Sequence, residues 1–330
     1  MFARKVFRHH IIKEQGFVHS NMENEARVLE KFRENGGHEN IVTVLGYGWL
    51  DPRKERFYVD LEPCIMNLDD YVKGNIKSML GLEKYFDPVL HERSLRCLTF
   101  WGIMKDISSG LNFMHSSHEL HRDVKPRNGK ASHFLPDELL VLLSQRAAWK
   151  ITDFDFTMTG GSKLAYSTNS AHGTDCYRAP ELVKGTDPIV TMKSDIWALG
   201  CIMHELLTGL KAFPNDWNAW RYYSDNSLGL GDPPLPTFLS AQSDKCIRML
   251  LNQVLTREWW KRPSAAEILE LLNSVATGGA QVYLGLRGQT EPGPLVGIDP
   301  NSDLWKTVEW KQYWFAPCNY MLISVPNVKE

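Results

Sequence analysis

The stretch His121-Arg122-Asp123-Val124-Lys125-Pro126-Arg127-Asn128 decides how the rest of this sequence is interpreted. It places a carboxylate, an ammonium and an amide within one short loop. The segment before it carries apolar residues at helical spacing, which predicts one long buried helix; these residues are Phe100, Ile103, Met104, Ile107, Leu111 and Met114. Taken alone, the loop could be a surface turn with incidental charges, so its meaning depends on the other motifs.

Four further segments follow the loop in order: Lys150-Ile151-Thr152-Asp153-Phe154-Asp155, Gly173-Thr174-Asp175-Cys176-Tyr177-Arg178-Ala179-Pro180-Glu181, Ser194-Asp195-Ile196-Trp197-Ala198-Leu199-Gly200 and Arg262-Pro263. With the loop, they resemble the signatures of the eukaryotic protein kinase family, whose patterns include H-R-D-L-x-x-x-N, D-F-G and A-P-E. Upstream, Phe2-Ala3-Arg4-Lys5 is similar to V-A-I-K. The resemblance covers about residues 1–275.

The resemblance implies roles for three residues of this loop and for Asp153. Asp123 would be the catalytic base, which accepts a hydrogen bond from a substrate hydroxyl, and Lys125 a cation near the transferred phosphoryl group. Asn128 and Asp153 would be magnesium ligands. Lysine followed by Pro126 resembles the serine/threonine branch of the family rather than the tyrosine branch.

The first part of the chain would bind the nucleotide. By the resemblance, Lys5 contacts the α- and β-phosphates of ATP, and Glu25, on the only early helix, is the counter-charge that orients it. Glu62-Pro63-Cys64 falls where the family's hinge offers backbone groups to adenine, so Glu62 and Cys64 are expected adenine contacts and Leu61 the gatekeeper.

Other motif residues are expected to be scaffold or regulatory. Asp195, Glu181 and Arg262 take structural roles in the family. Arg122 could pair with a phosphate in the loop before Gly173, where the possible acceptors are Thr157, Ser162, Tyr166, Ser167, Thr168 and Ser170. His115 and His118 are expected to be exposed at a helix end.

The fold class expected is α+β, a bilobal protein-kinase-like fold with a truncated small N-lobe and a mainly helical C-lobe. The expected boundaries are residues 1–62 for the N-lobe, 63–277 for the C-lobe and 278–330 for a Gly/Pro-rich linker and an aromatic tail. Ser20 is predicted to cap a helix stopped by Gly36-Gly37, and strands are predicted at Ile41-Val42-Thr43-Val44-Leu45 and Phe57-Tyr58-Val59-Asp60-Leu61. Later helices are predicted from Ser194 to Leu207 and from Ala265 to Leu272.

Composition excludes several classes of protein. The 330 residues are 43% hydrophobic and 23% charged, which is typical of a globular chain. A formal charge of −2 gives no global attraction to nucleic acid or an anionic membrane. Six cysteines without a CxxC pair favour an intracellular protein, cytoplasmic or nuclear, and neither a signal peptide nor an 18-residue apolar run is recognised. Protein substrates and ATP are the expected partners, with no prediction of oligomeric state.

Three departures from the family pattern leave two functions open. The sequence begins at the lysine strand, so a Gly-rich loop is expected to be lacking; Asp155 stands at the glycine of D-F-G and is expected to face solvent. Residues Gly129 to Glu138 are read as an insertion between Asn128 and an apolar strand, Leu139-Leu140-Val141-Leu142-Leu143. The chain is therefore predicted to be either an ATP- and Mg²⁺-dependent serine/threonine kinase or a kinase-like scaffold without catalysis.

Overall fold

The computed structural model describes residues 2–8, 18–53, 56–73, 90–132, 148–160, 166–167, 173–183, 189–230 and 241–273. The expectations for the apolar run 139–143, the Gly/Pro-rich linker and the aromatic tail lie outside these residues. None of the helices in the described ranges has the length and apolarity needed to cross a bilayer.

The first part of the chain is a small antiparallel sheet with one helix. Strands β1 (Ala3–Arg8), β2 (Val44–Trp49) and β3 (Arg56–Leu61) pair in the order β1-β3-β2. In β3, Phe57 and Val59 are buried while their neighbours are more exposed, the alternation that a one-sided sheet requires. Helix α1 (Val18–Glu34) begins before Ser20, so the predicted cap at Ser20 is wrong. It ends, as predicted, at Gly36 and Gly37, which have φ values of 87° and 68°.

The strand predicted at Ile41 to Leu45 lies three residues further along the chain. Ile41 instead forms an isolated parallel bridge with Ile151, and the Val42 N–H donates to the Ile151 carbonyl at 3.0 Å. Ile41 and Val42 are each 3% exposed, so this apolar pair is buried as a link between the small sheet and the rest of the protein. Burial on all sides, rather than a strand face, explains its composition.

The second part of the chain is mainly helical. Its helices are α2 (Leu68–Val72), α3 (Leu90–Ser116), α4 (Pro180–Val183), α5 (Met192–Thr208), α6 (Asp216–Ser224), α7 (Ala241–Val254) and α8 (residues 265–273). Its short strands are β4 (Cys64–Asn67), β5 (Glu119–Leu120), β6 (Gly129–Ser132), β7 (Trp149–Ile151), β8 (Met158–Thr159), β9 (Tyr166–Ser167) and β10 (Ile189–Val190). This arrangement confirms the α+β prediction.

Helices α3 and α5 form the centre of the core. All six residues that predicted α3 are buried. Gly110 lets α3 approach the segment around Asn40 and Ile151 closely, because a Cβ at residue 110 would lie 2.8 Å from the Asn40 carbonyl oxygen and 2.9 Å from Ile151 Cδ1. Helix α5 begins at a capping box between Thr191 and Ser194, two residues before the predicted start.

The structure corrects the place of the predicted insertion. β6 follows Asn128 at once and pairs with β4 on one side and β7 on the other. The additional chain therefore connects β6 to β7, and it does not separate Asn128 from its strand. The strand was missed because Gly129, Lys130, Ala131 and Ser132 have low β propensity and are held by backbone pairing on both sides.

Candidate active site

Lys5 on β1 lies among three carboxylates. Its Nζ is 3.0 Å from Glu25 Oε2, 2.7 Å from Asp153 Oδ1 and 2.7 Å from Asp155 Oδ1. Glu25 comes from the buried face of α1, and the two aspartates follow β7. The structure thus brings together three residues that sequence analysis assigned to one site, from positions up to 148 residues apart, and adds Asp155.

Burial and crowding separate the proton affinities of these acids. Burial and the neighbouring Asp155 together raise the pKa of Glu25 to about 8, against the attraction of Lys5. Asp153 is also partly buried, but the charge and hydrogen bond of Lys5 hold its pKa below the ordinary value. The three acids together raise the pKa of Lys5, despite its own desolvation. The lysine is therefore charged, and Glu25 takes up a proton more readily than Asp153.

Asp155 does not face solvent as expected. Its side chain is 23% exposed and is bound to Lys5, while its backbone carbonyl lies 3.4 Å from Asn24 Nδ2 on α1. The left-handed backbone of this segment is at Asp153, with a φ of 72°, and Asp155 is not among the described residues of positive φ. A side chain at the third position of the triplet therefore causes no backbone strain here.

The catalytic-loop segment is anchored by a buried carboxylate on α5. Asp195 Oδ2 accepts from the His121 N–H at 2.9 Å, and Oδ1 from the Arg122 N–H at 2.9 Å. His115 Nε2 lies 3.0 Å from Asp195 Oδ2, so the expectation that His115 is exposed is wrong. Arg122 has a φ of 67°, a left-handed conformation that these two bonds help to hold.

The loop turns Asp123 towards a compact polar group. Lys125 Nζ donates to Asp123 Oδ2 at 2.6 Å and to Thr174 Oγ1 at 2.9 Å. The Thr174 hydroxyl donates to Asp123 Oδ1 at 2.7 Å. Asn128 Nδ2 donates to the Asp123 backbone carbonyl at 3.0 Å, which ties the two ends of the loop together. Thr174 belongs to the motif Gly173 to Glu181, but the motif alone predicts no role for it, because spacing does not show which side chains meet.

Glu62, in the expected hinge, is held by contacts with neighbouring residues of the protein. The Glu62 carboxylate accepts from Lys150 Nζ at 2.8 Å and from the Thr43 N–H at 2.6 Å. Its backbone N–H donates to the Thr43 carbonyl at 2.9 Å. Cys64 begins β4, opposite Ser132 of β6. Adenine contacts by the Glu62-Pro63-Cys64 backbone stay a prediction.

The predicted scaffold residues make buried contacts. Arg262 Nη1 and Nη2 bind the two oxygens of Glu181 at 2.6 and 2.8 Å, and both residues are buried. Among the possible phosphate acceptors, Thr157 is 3% exposed and so is not accessible for modification in this structure. Tyr166 and Ser167 form β9, while Ser162, Thr168 and Ser170 lie outside the described residues.

Comparison with known proteins agrees with this geometry. The family described as "Protein kinase domain" matches residues 1–272. The chain belongs to the protein kinase family. It is 22% identical over 254 residues to serine/threonine-protein kinase STK11 of Rattus norvegicus, a match that covers 74% of this chain and 50% of that protein.

Two further kinases show the breadth of the similarity. MAP kinase kinase kinase wis4 of Schizosaccharomyces pombe is 26% identical over 255 residues, which cover 74% of this chain and 16% of that kinase. Serine/threonine-protein kinases drp72 of Corynebacterium efficiens is 27% identical over 252 residues, which cover 76% of this chain and 42% of that protein. The matches span half or less of the length of these three relatives.

Proposed function

We propose that this protein kinase domain transfers the γ-phosphoryl group of ATP to serine or threonine hydroxyls of protein substrates. The observation that carries the proposal is the hydrogen bond from the Thr174 hydroxyl to Asp123 Oδ1, with Lys125 bound to both residues. These contacts support the proposal because the Asp123 carboxylate is held in place and accepts a hydrogen bond from an aliphatic hydroxyl, as a base for a serine or threonine substrate would.

Asp123 would act as the base for the attacking oxygen. A substrate hydroxyl donates its proton to Asp123 as the oxygen attacks the γ-phosphorus, and the bond from that phosphorus to the leaving ADP oxygen breaks. Lys125 carries the positive charge next to this carboxylate, where negative charge on the transferred group needs stabilisation. The Asn128 contact with the Asp123 carbonyl keeps the loop in one geometry.

Lys5 and Glu25 would position the nucleotide. A lysine that contacts phosphates must be charged and fixed, and the raised pKa of Lys5 and its bond to Glu25 meet both conditions. Glu25 is 1% exposed and lies on α1, so the orientation of Lys5 depends on where this helix docks. The Glu62-Pro63-Cys64 backbone is proposed to bind adenine.

The two residues proposed as magnesium ligands offer oxygens of the kind this ion prefers, a carboxylate and an amide carbonyl. The carboxylate oxygens of Glu25, Asp153 and Asp155 lie within 4.8 Å of one another, but Lys5 Nζ contacts all three. Asp153 and Asn128 are proposed to hold the ion, which would neutralise phosphate charge when it is bound. The remaining acids stay available to Lys5.

Transfer of labelled phosphate from ATP tests this function directly. The chain, Asp123→Asn and Asp244→Asn would be compared on a generic serine/threonine protein substrate with magnesium. Asp244 is a matched control because it is an aspartate on α7 in a half-buried pair with Arg248, outside the residues assigned to the site. We expect Asp123→Asn to lose at least about a hundredfold in rate, as general-base removal does, while the control keeps its activity. Equal activity in all three proteins would contradict the role of Asp123.

One observation favours a second candidate, a kinase-like scaffold that does not turn over ATP. Asp155 binds the lysine that would contact the phosphates. If neither the chain nor the control transfers phosphate and ATP with magnesium causes no thermal shift, the scaffold is the better description.

A further inference from the structure

Glu119, two residues before the catalytic loop, is a fully buried carboxylate at a place where the chain leaves α3 for β5. Its side chain is 0% exposed, and it lies directly opposite Thr159 in the β5–β8 pair. Neither the site nor the proposed mechanism uses it. A buried acid of this kind is costly unless it is paired, so its partners indicate what it does.

Four donors meet this carboxylate, and three of them come from α1. Arg27 Nη1 and Nη2 bind Oε1 and Oε2 at 3.0 and 3.2 Å, and Lys31 Nζ binds Oε1 at 2.8 Å. The fourth donor is the Thr159 hydroxyl at 2.9 Å. Burial acts to raise the pKa of Glu119, but these hydrogen bonds hold it below the ordinary value, so the group is an anion.

The same face of α1 also contacts the segment after Asp155. Asn24, Arg27 and Lys31 follow one another at spacings of three and four residues, which places them on one face of the helix. Asn24 Nδ2 donates to the Thr157 carbonyl, and Arg27 Nη2 donates to Asn24 Oδ1 at 2.9 Å. The buried Glu25 is adjacent to this face and reaches Lys5.

We propose that Glu119 is a positioning residue for phosphoryl transfer, which holds α1 where Glu25 binds Lys5. This inference rests on the proposed kinase function for its effect on rate. The structural part of the inference does not depend on that function. The Glu119 carboxylate of β5 binds Arg27 and Lys31 and so holds α1 against the second part of the chain. Loss of the charge at Glu119 should release α1 and, with it, Glu25.

Glu119→Gln removes the charge and keeps the shape, and Glu30→Gln is the matched control. Glu30 lies on the same helix in an exposed pair with Arg33. We expect Glu119→Gln to lower kcat/KM at least tenfold and to speed amide hydrogen exchange over residues 18–34, with neither effect in the control. In a Glu25→Gln background, Glu119→Gln should cause little further loss, because both changes act on the same lysine.

Two outcomes would overturn the proposal. One is an α1 that exchanges in Glu119→Gln as slowly as in Glu30→Gln. The other is the same fold-loss of kcat/KM from Glu119→Gln with Glu25 present and absent, as expected of general destabilisation. If the parent chain transfers no phosphate, the proposed function fails and hydrogen exchange alone decides this inference. If Glu119→Gln does not fold, Lys31→Gln, which leaves Arg27 on the carboxylate, is subjected to the same measurements and criteria.

Discussion

The Nζ of Lys5 and Oδ1 of Asp155 lie 2.7 Å apart, although Asp155 stands where the kinase pattern has glycine. A lysine ammonium has three donors, and here Glu25, Asp153 and Asp155 provide one acceptor each. A phosphate that binds Lys5 must therefore compete with a carboxylate. Asp155 is the competitor that this chain adds to the family's arrangement.

Removal of that competitor should improve nucleotide binding. We expect Asp155→Asn, which keeps the size and removes the charge, to lower the KM for ATP by about three- to tenfold. This is less than a buried hydrogen bond to a charged group would give, because the site is partly exposed and solvent screens the charges. Steady-state kinetics measure this KM, and the ATP-dependent thermal shift measures nucleotide binding. Asp244→Asn is the matched control, and a KM that rises in Asp155→Asn would instead indicate that Asp155 is a metal ligand.

The motifs predicted the buried anchors of the Asp123 loop well, because each motif is a short segment whose residues act together. Asp195 was assigned a structural role from sequence alone, and its bonds to the backbone of His121 and Arg122 show that role. Glu181 and Arg262, 81 residues apart, were assigned in the same way and form a buried pair. In these cases the pattern encodes a contact.

Contacts specific to this chain could not be predicted in that way. Nothing in the sequence near Glu119 indicates that Arg27 and Lys31 lie against it, since the three meet only when α1 packs on β5. From the sequence, Asp155 is expected to face solvent rather than to be a metal ligand, and its contact with Lys5 follows only from the three-dimensional position of that lysine. Side-chain partners far apart in sequence are fixed by packing, which residue spacing does not report.

The hydroxyl of Thr174 gives a second prediction. Thr174→Ala removes a hydrogen bond to Asp123 and one from Lys125, so both groups lose a fixed partner. We expect kcat to fall by about ten- to a hundredfold, as when a hydrogen bond to a charged group is lost. Thr174→Ser keeps the hydroxyl and should retain most of the activity. Equal losses in the alanine and serine variants would show that the methyl group, and not the hydroxyl, matters.

The buried pair of Arg262 and Glu181 should dominate the stability of the helical part. Arg262→Ala leaves the buried Glu181 carboxylate without its cation and, among the described residues, with only the Ser194 hydroxyl as a side-chain donor, and we expect the free energy of unfolding to fall by about 3–5 kcal/mol. The neighbouring Lys261 forms an exposed pair with Glu258, so Lys261→Ala should cost less than about 1 kcal/mol. Urea unfolding followed by circular dichroism compares them, and similar losses in both would mean that Glu181 finds another partner or water.

The proton affinity of Glu25 predicts how stability changes with pH. Its pKa rises from 4.5 to about 8 on folding, because burial disfavours the carboxylate, so between these values the folded state binds more protons than the unfolded state. The free energy of unfolding should therefore fall as pH rises from about 5 to 8, with a slope from this one group of at most about 1.4 kcal/mol per pH unit. Asp153, whose pKa is lowered by Lys5, acts in the opposite sense only at more acidic pH.

Urea unfolding at a series of pH values tests this prediction about Glu25. Glu25→Gln should flatten the decline in urea midpoint between about pH 5 and 8, while Glu30→Gln should leave the decline unchanged. A decline that persists undiminished in Glu25→Gln would mean that another group titrates.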